Sequence, residues 1–389
     1  MTKGKKILFS ILTSLLVVIL CILAGETVLR LVPIPGVNFA AIRYDEVVGA
    51  GFYPNSVVTY RSDRNDYVER VVNRWGYLDV DHELEGEGGV FRIGFFGDSY
   101  TEAMQVPIDS TFFRRIEGLT ADRSVECLAF GFSGRGTVHS YLVAMQEMVR
   151  FDLDMVVYVF CENDVGDQIE EIKSDPNLPY AKIENGKLIM DNSFRIHSAF
   201  RTAWPYRVYQ FMQSKSLFLQ TVKRRSQLLS RFGVQLTNVQ ENNQDMTTPI
   251  RAIPNQNDAP STWSAPWRIY AAKVGSAMIA KWRRVVRNSG REFAIIHIPR
   301  ESEWRKNSEQ QDSWKYWLEG VCIANDIDLL DPKNRFEAAD SLNQELYYDH
   351  LTAAGHHALS LTFVEWFNAK QSTYERRYEM NNPYEEELP

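Results

Sequence analysis

Ser99 is the first residue whose position suggests chemistry. In Phe91–Glu102 an apolar run long enough for one buried β-strand breaks at Gly97 and Asp98, presents the Ser99 hydroxyl and runs into residues that can start a helix. That order places a side-chain nucleophile at the edge of a parallel sheet, beside the unpaired N–H groups of a helix start. The same residues also suit a plain turn in which Asp98 and Ser99 only cap the helix.

Three further stretches come after strand-like segments. Ala129–Thr137 carries Gly131, Gly134 and Gly136, so its backbone N–H groups can approach a ligand closely. Cys161–Asp164 contains Asn163, whose amide can donate two hydrogen bonds. Tyr348–Gly355 places Asp349 and His350 at the entrance to the last helix, with Thr352 as its N-cap. In an open α/β sheet the carboxyl ends of the strands form the ligand crevice. A hydroxyl nucleophile, donors for an oxyanion and a base are the parts needed for acyl transfer.

Other residues fit less well. Ser133 lies in a Gly-flanked loop but lacks a G-x-S-x-G elbow. His297, beside Arg300 and Glu301, is expected to be a satisfied core or edge histidine; contact with substrate is the alternative. His82, His139, His197, His356 and His357 read as surface or helix-face residues. No His or acidic pair shows ligand spacing with a third residue nearby, so neither metal nor cofactor is expected. Cys127, Cys161 and Cys322 sit in apolar surroundings and read as small buried hydrophobes; a Cys127–Cys161 bridge is the less favoured reading.

These residues need a scaffold. Short apolar runs at Arg92–Phe96, Val125–Ala129, Met155–Phe160, Phe293–Ile298 and Ile327–Leu330 predict parallel strands covered on both faces. Helical patterns lie between and after them at Thr137–Arg150, Pro266–Asn288, Gln310–Asn325 and Ala353–Phe367. The alternation predicts a doubly wound, mainly parallel five-stranded α/β sheet. Before it, residues 33–90 form a turn-rich flank with β-favouring fragments at Ser56–Tyr60 and Tyr67–Val72. An insertion at 173–263 interrupts the alternation. Its segment Tyr206–Phe232 reads as one helix carrying Lys215, Lys223, Arg224, Arg225 and Arg231. That insertion could cap the sheet edge, lie on a membrane surface, or be a solvated excursion. The polar tail 369–389 ends acidic.

Lys3, Lys5 and Lys6 precede 19 uncharged residues, Ile7 to Gly25. As a helix at ~1.5 Å per residue this run spans about 28 Å, the thickness of a bilayer core. The lysines predict a cytoplasmic N-terminus and an exported remainder. An uncleaved signal anchor (1–32) is favoured over a signal peptide, because Ile22 and Leu23 stand where a cleavage site wants small residues. The 389-residue chain has a net charge of -7 and no sustained basic stripe, which argues against nucleic acid as a partner.

Four blocks carry a specific resemblance. Gly97-Asp98-Ser99, Gly131 to Gly134, Asn163-Asp164 and His350 match, in order, the blocks of the SGNH/GDSL hydrolase superfamily, with its flavodoxin-like fold. The resemblance covers Arg92 to about Phe367, hence the domain 91–368. It implies Ser99 as nucleophile, His350 as general base, and an oxyanion hole from the N–H groups of Ser99 and Gly134 and the Asn163 amide. Asp98 and Asp164 would then be structural.

The chain also departs from the pattern. The acid usually found three residues before the histidine is replaced by Tyr347; Asp349, Glu345 or a dyad without an acid could take its place. Asp349 can serve only if the backbone turns, since neighbours in an extended segment point opposite ways. Cys161 and Ala129 replace the usual Gly and Asn of two blocks, and Cys161 is expected to alter loop packing more than chemistry. The membrane-anchored layout resembles bacterial members acting on cell-surface polysaccharides. The implied function is an extracytoplasmic ester hydrolase acting on O-acylated carbohydrate or a similar small acyl ester. The alternatives are a polysaccharide O-acyltransferase using the same site and a non-catalytic glycan-binding component of a surface-assembly machine.

Overall fold

The computed structural model describes residues 3–31, 39–62, 64, 66–120, 124–223, 266–305 and 314–381, with backbone alone at 266, 302 and 371–381. The second half of the insertion (224–263, with Arg224, Arg225 and Arg231) and the acidic end of the tail lie outside the described residues.

Five strands form the central sheet: β5 (Phe91–Gly97), β6 (Val125–Gly131), β7 (Met155–Phe160), β10 (Glu292–His297) and β11 (Asp328–Leu330). Their order is β11-β10-β7-β5-β6, and every pairing is parallel. The chain therefore starts in the middle of the sheet and winds outward in both directions, the doubly wound topology expected from the alternation.

Alternation along β5 explains why both faces are covered. Ile93 and Phe95 face one layer and Phe96 the other, each fully buried. On the Phe96 side lie α4 (Thr137–Arg150), α9 (Pro266–Asn288) and α11 (Trp314–Asn325), which contribute Tyr141, Met148, Trp282 and Leu318. Opposite are α3 (Phe112–Leu119), α12 (Lys333–Ser341) and α13 (Ala353–Asn381), with Phe112, Phe336 and Phe363.

Histidine burial corrects one expectation. His139 and His356 are fully buried on the inner faces of α4 and α13, and His82 is buried between Asp79 and Glu126. Each ring has a polar partner. His139 Nδ1 accepts from Gly136 N at 3.0 Å, and His356 Nδ1 accepts from Phe112 N at 3.3 Å. Burial pushes His356 down to about 3, so it serves as a neutral acceptor. His197 and His357 are exposed, as expected.

The flank is more structured than its sequence suggests. Antiparallel pairs β1 (Ile42–Asp45) with β2 (Gly49–Phe52), and β3 (Val57–Arg61) with β4 (Tyr67–Val71), surround a small core of Phe52, Val58, Val72 and Leu78. Arg70, on β4, donates to the carbonyls of Glu102 (3.1 Å) and Ala103 (2.7 Å), so the flank holds the end of the turn that carries Ser99.

The described part of the insertion also differs. It contains a hairpin, β8 (Tyr180–Glu184) with β9 (Lys187–Asp191), and then α7 (Phe194–His197) and α8 (Trp204–Lys215). The single helix expected from Tyr206 is broken at Ser216, after which helix resumes over 217–223. Ser216 Oγ accepts from Leu219 N at 3.2 Å, the local capping bond that competes with helix continuation. At the N-terminus α1 (Lys3–Leu31) is one largely apolar helix, exposed over most of its length and long enough to cross a membrane.

Candidate active site

Register brings the loops together. Gly97 pairs with Gly131 on one side and Val159 on the other, and His297 pairs with Phe160. The four strands therefore end level, and the loops that leave them emerge at the same edge. A Cβ on Gly131 would lie 2.1 Å from Glu102 N, so only glycine lets β6 pass so close to the Ser99 turn.

Ser99 opens the short helix α2 (Ser99–Glu102), whose N-cap is Asp98; Asp98 Oδ1 accepts from Tyr100 N at 3.0 Å. His350 Nε2 lies 2.9 Å from Ser99 Oγ, across 251 residues of chain. Asp98 Oδ2 is the other oxygen near the hydroxyl, at 3.3 Å. A hydroxyl has one hydrogen, and the shorter contact is to the imidazole.

His350 is positioned by a turn. β12 (Tyr347–Tyr348) and β13 (His350–Leu351) pair antiparallel across Asp349, which takes a left-handed φ of 65°. Asp tolerates this conformation better than most residues. The backbone thus turns at Asp349, and its Oδ2 comes within 3.3 Å of His350 Nδ1. The contact is not a well-directed hydrogen bond: Nδ1 is buried and makes none, while the Asp349 side chain is 67% exposed. Glu345 stands elsewhere, its carboxylate held by Arg64 Nη1 at 2.8 and 3.0 Å. Asp349→Asn should therefore lower kcat, and Glu345→Gln should leave it within about twofold. A screened, exposed carboxylate supports a loss of roughly 10–100-fold for Asp349→Asn, below the 10⁴ of a buried triad acid. Steady-state kinetics on a chromogenic acetyl ester checks both.

Asn163 begins α5 (Asn163–Asp167). Its Nδ2 donates to Asp98 Oδ2 at 3.0 Å and lies 3.5 Å from Asp167 Oδ2. Its Oδ1 receives the Cys161 thiol at 2.7 Å. The expected oxyanion donor is therefore beside the Ser99 turn, with its amide hydrogens on carboxylates. Gly134 has a φ of 70°, open to glycine and strained for other residues, and a Cβ there would meet Lys173 Nζ at 3.2 Å.

Cys161 does more than pack. Its Sγ is 3.1 Å from Asp98 Oδ2 and 3.7 Å from Asp164 Oδ1, so one buried thiol ties the first block to the third. Burial and the neighbouring Asp164 and Asp98 carboxylates push the thiol well up, which keeps it a neutral donor. Asp164 Oδ2 accepts from Tyr158 OH at 2.7 Å and from Cys161 N at 3.3 Å. Asp98, Cys161 and Asp164 present three potential ligand atoms within 4.8 Å, a grouping that residue spacing does not reveal. Their atoms are engaged with one another and with Asn163 and Tyr158. Cys127, Cys161 and Cys322 are buried free thiols.

Several other residues complete the surroundings. Tyr100 and His350 rings lie 5.1 Å apart. Beside them an open cleft of about 490 Å³ is lined by arginines and tyrosines (Arg64, Tyr100, Arg300, Arg305, Tyr347, Tyr348) together with the carboxylates of Glu301, Glu345 and Asp349. Ser133 donates its N–H to Glu102 Oε2 in the neighbouring loop. His297 is fully buried in the core; neither ring nitrogen makes a hydrogen bond, and its Nε2 lies 3.6 Å from the buried Glu303 Oε2. Burial pushes the His297 imidazole down to about 4.

Glu102 gives the site a pH signature. Burial raises its carboxyl from 4.5 to about 7, against the lowering effect of the Ser133 bonds. A folded-state value above the unfolded one means that the folded chain binds the proton more tightly. That stability is fully present below about pH 4.5 and is lost as pH rises through about 7. Glu102→Gln should remove this loss. Between pH 4.5 and 8 the wild type should lose about 3 kcal/mol more than the variant. Urea unfolding midpoints across that range provide the measurement.

No family model matches the chain, and no curated protein matches it. Among solved structures it is similar to the acetyl xylan esterase AlAXEase, with 13% identity over 70% of this chain and 98% of that one and a TM-score of 0.38. A lipase/acylhydrolase from Enterococcus faecalis gives 11%, 72%, 97% and 0.37. An Axe2 mutant, an acetyl-xylooligosaccharide esterase from Geobacillus Stearmophilus, gives 12%, 73%, 95% and 0.36. A likeness at this level assigns neither activity nor substrate.

Proposed function

We propose that the chain is an SGNH-type ester hydrolase that works through an acyl-enzyme on Ser99. The observation that carries this reading is the 2.9 Å approach of His350 Nε2 to Ser99 Oγ. In this reading His350 Nε2 takes the Ser99 proton as Oγ attacks the ester carbonyl, and returns it to the leaving alkoxide. Water then cleaves the acyl-enzyme with the same base. Asp349 steadies the imidazolium across 3.3 Å. The N–H groups of Ser99 and Gly134 hold the oxyanion, and Asn163 Nδ2 joins them by turning from Asp98. Residues 91–368 carry this chemistry.

The cleft beside His350 supports a polar, hydroxyl-rich substrate such as O-acylated carbohydrate. It combines three tyrosine rings with guanidinium groups and the carboxylates of Glu301, Glu345 and Asp349, and Arg64 stacks on Tyr348 at 3.8 Å. α1 anchors the domain in a membrane, with the lysines on the cytoplasmic side and the catalytic domain extracytoplasmic. The full chain should react with a fluorophosphonate probe at Ser99. A folded protein that remains unlabelled, as seen by mass spectrometry of the Ser99 peptide, would remove this reading. If an acetylated product forms only when an oligosaccharide acceptor is added, the acyl-enzyme serves transfer rather than hydrolysis.

A further inference from the structure

Helix α8 is built the wrong way round for water. Trp204, Val208, Phe211 and Met212 fall at i, i+4, i+7 and i+8, which is one stripe of a helix. This stripe is exposed: 75% for Trp204, 52% for Phe211 and 55% for Met212. Across the helix Gln210 and Gln213 are the buried residues. Single exposed apolar side chains are ordinary, but a contiguous stripe opposite buried glutamines is not. Ile196 and Phe200, just before α8, extend the exposed apolar surface.

Contacts from three α1 residues place this surface beside the end of that helix. Glu26 Oε2 accepts from Ser216 Oγ at 2.9 Å and from Phe218 N at 3.0 Å, so α1 supplies a capping carboxylate for the helical stretch after α8. Arg30 Nη2 reaches Lys215 O at 3.4 Å. Gly25 lies so close to the Phe218 ring that a Cβ there would be 2.4 Å from Cδ2. Gly25 is also the last residue of the uncharged run, and Glu26 the first charge after it. The contacts therefore lie where α1 would leave the hydrocarbon.

Charge agrees with the position. Between residues 194 and 223 the chain has Arg195, Arg201, Arg207, Lys215 and Lys223 and no acidic residue, in a protein whose net charge is -7. Apolar and aromatic side chains with flanking cations are the composition of an element lying in a lipid interface, where the cations meet anionic headgroups.

We propose that α8 and the turn before it form a second membrane contact, lying flat in the leaflet into which the C-terminal end of α1 emerges. The proposal rests on the reading of α1 as a membrane span. The bilayer covers the Trp204–Met212 stripe, while Gln210 and Gln213 stay against the protein. Anchor and α8 together hold the domain close to the membrane at two points rather than on a single swinging tether.

The test uses the full chain in lipid nanodiscs, with Cys21→Ser to remove the exposed native thiol. A fluorophore is placed at Met212→Cys, at Ile323→Cys as an exposed reference, or at Val17→Cys within α1. At position 212 the emission should be blue-shifted and quenched most by lipids carrying a nitroxide about 5–10 Å below the headgroup boundary. It should also be protected from aqueous iodide, whereas the label at 323 should show the reverse. If 212 behaves like 323 while 17 is quenched from mid-bilayer, the proposal fails and the span stands. If 212 is shielded from both lipid nitroxide and iodide, protein covers the stripe and the proposal fails. If 17 is not quenched by lipid, the span reading fails and the proposal falls with it.

Discussion

Replacing Ser99 by alanine should reduce kcat for a chromogenic acetyl ester by roughly 10³–10⁶-fold and leave KM within a few-fold. The physical reason is that, in the proposed mechanism, the Ser99 hydroxyl forms the bond to the acyl carbon, so without it the two-step route disappears. Oxyanion donors and substrate contacts remain and can sustain a residual rate over water. Ser99 lies at the first helical position and is only partly buried. The variant should therefore keep the wild-type unfolding midpoint. A stable, folded Ser99→Ala protein with wild-type kcat would show that the nucleophile lies elsewhere. Ser133 would then be the first to test, although its N–H is committed to Glu102.

Replacing His350 by alanine should cost about as much as removing the nucleophile, and the double variant little more than either alone. Groups that act as a unit are grossly non-additive, because the attack needs both the oxygen and a place for its proton. With the imidazole gone, the nearest acceptor is Asp98 Oδ2 at 3.3 Å. That oxygen already receives Asn163 Nδ2 at 3.0 Å, and the Cys161 sulfur lies 3.1 Å from it. It can hold the Ser99 hydrogen but is poorly placed to take the proton. Fluorophosphonate labelling of Ser99 should slow by about 10²–10⁴-fold, the usual share of a general base. Equal labelling rates in His350→Ala and wild type would exclude His350 as the base. Additive losses in the double variant would show that the two side chains act independently, against the 2.9 Å contact.

Much of the scaffold was legible because parallel strands buried on both faces leave a strong mark. Met155–Phe160 is apolar at every position, and its predicted and observed limits coincide. The other four strands fall within two residues of their expected ends. α12 and the β12–β13 turn were not foreseen between the last strand and His350, because Lys333–Ser341 has few apolar residues and Tyr347–Leu351 is too short to show a period. The histidines misread as surface groups are buried because each finds a polar partner: His139 the nearby Gly136 N–H, His356 the distant Phe112 N–H, and His82 the carboxylates of Asp79 and Glu126, pairings that sequence spacing does not display.

Sequence alone determined which residues are available at strand ends: a serine before a helix, glycines in the second loop, an asparagine after the third strand and a histidine before the last helix. These features are local, because turns, caps and apolar runs are set by neighbours along the chain. Only the tertiary structure decided what each residue meets. The β12–β13 turn, packed beside the end of the parallel sheet, brings His350 to 2.9 Å from Ser99 across 251 residues. The left-handed turn at Asp349 swings its carboxylate to His350, while Arg64, 281 residues away, takes Glu345. Cys161, read as packing, proves to be the donor between Asp98 and Asn163. Such pairings depend on the register of strands far apart in sequence, and on which side chain reaches a shared acceptor first.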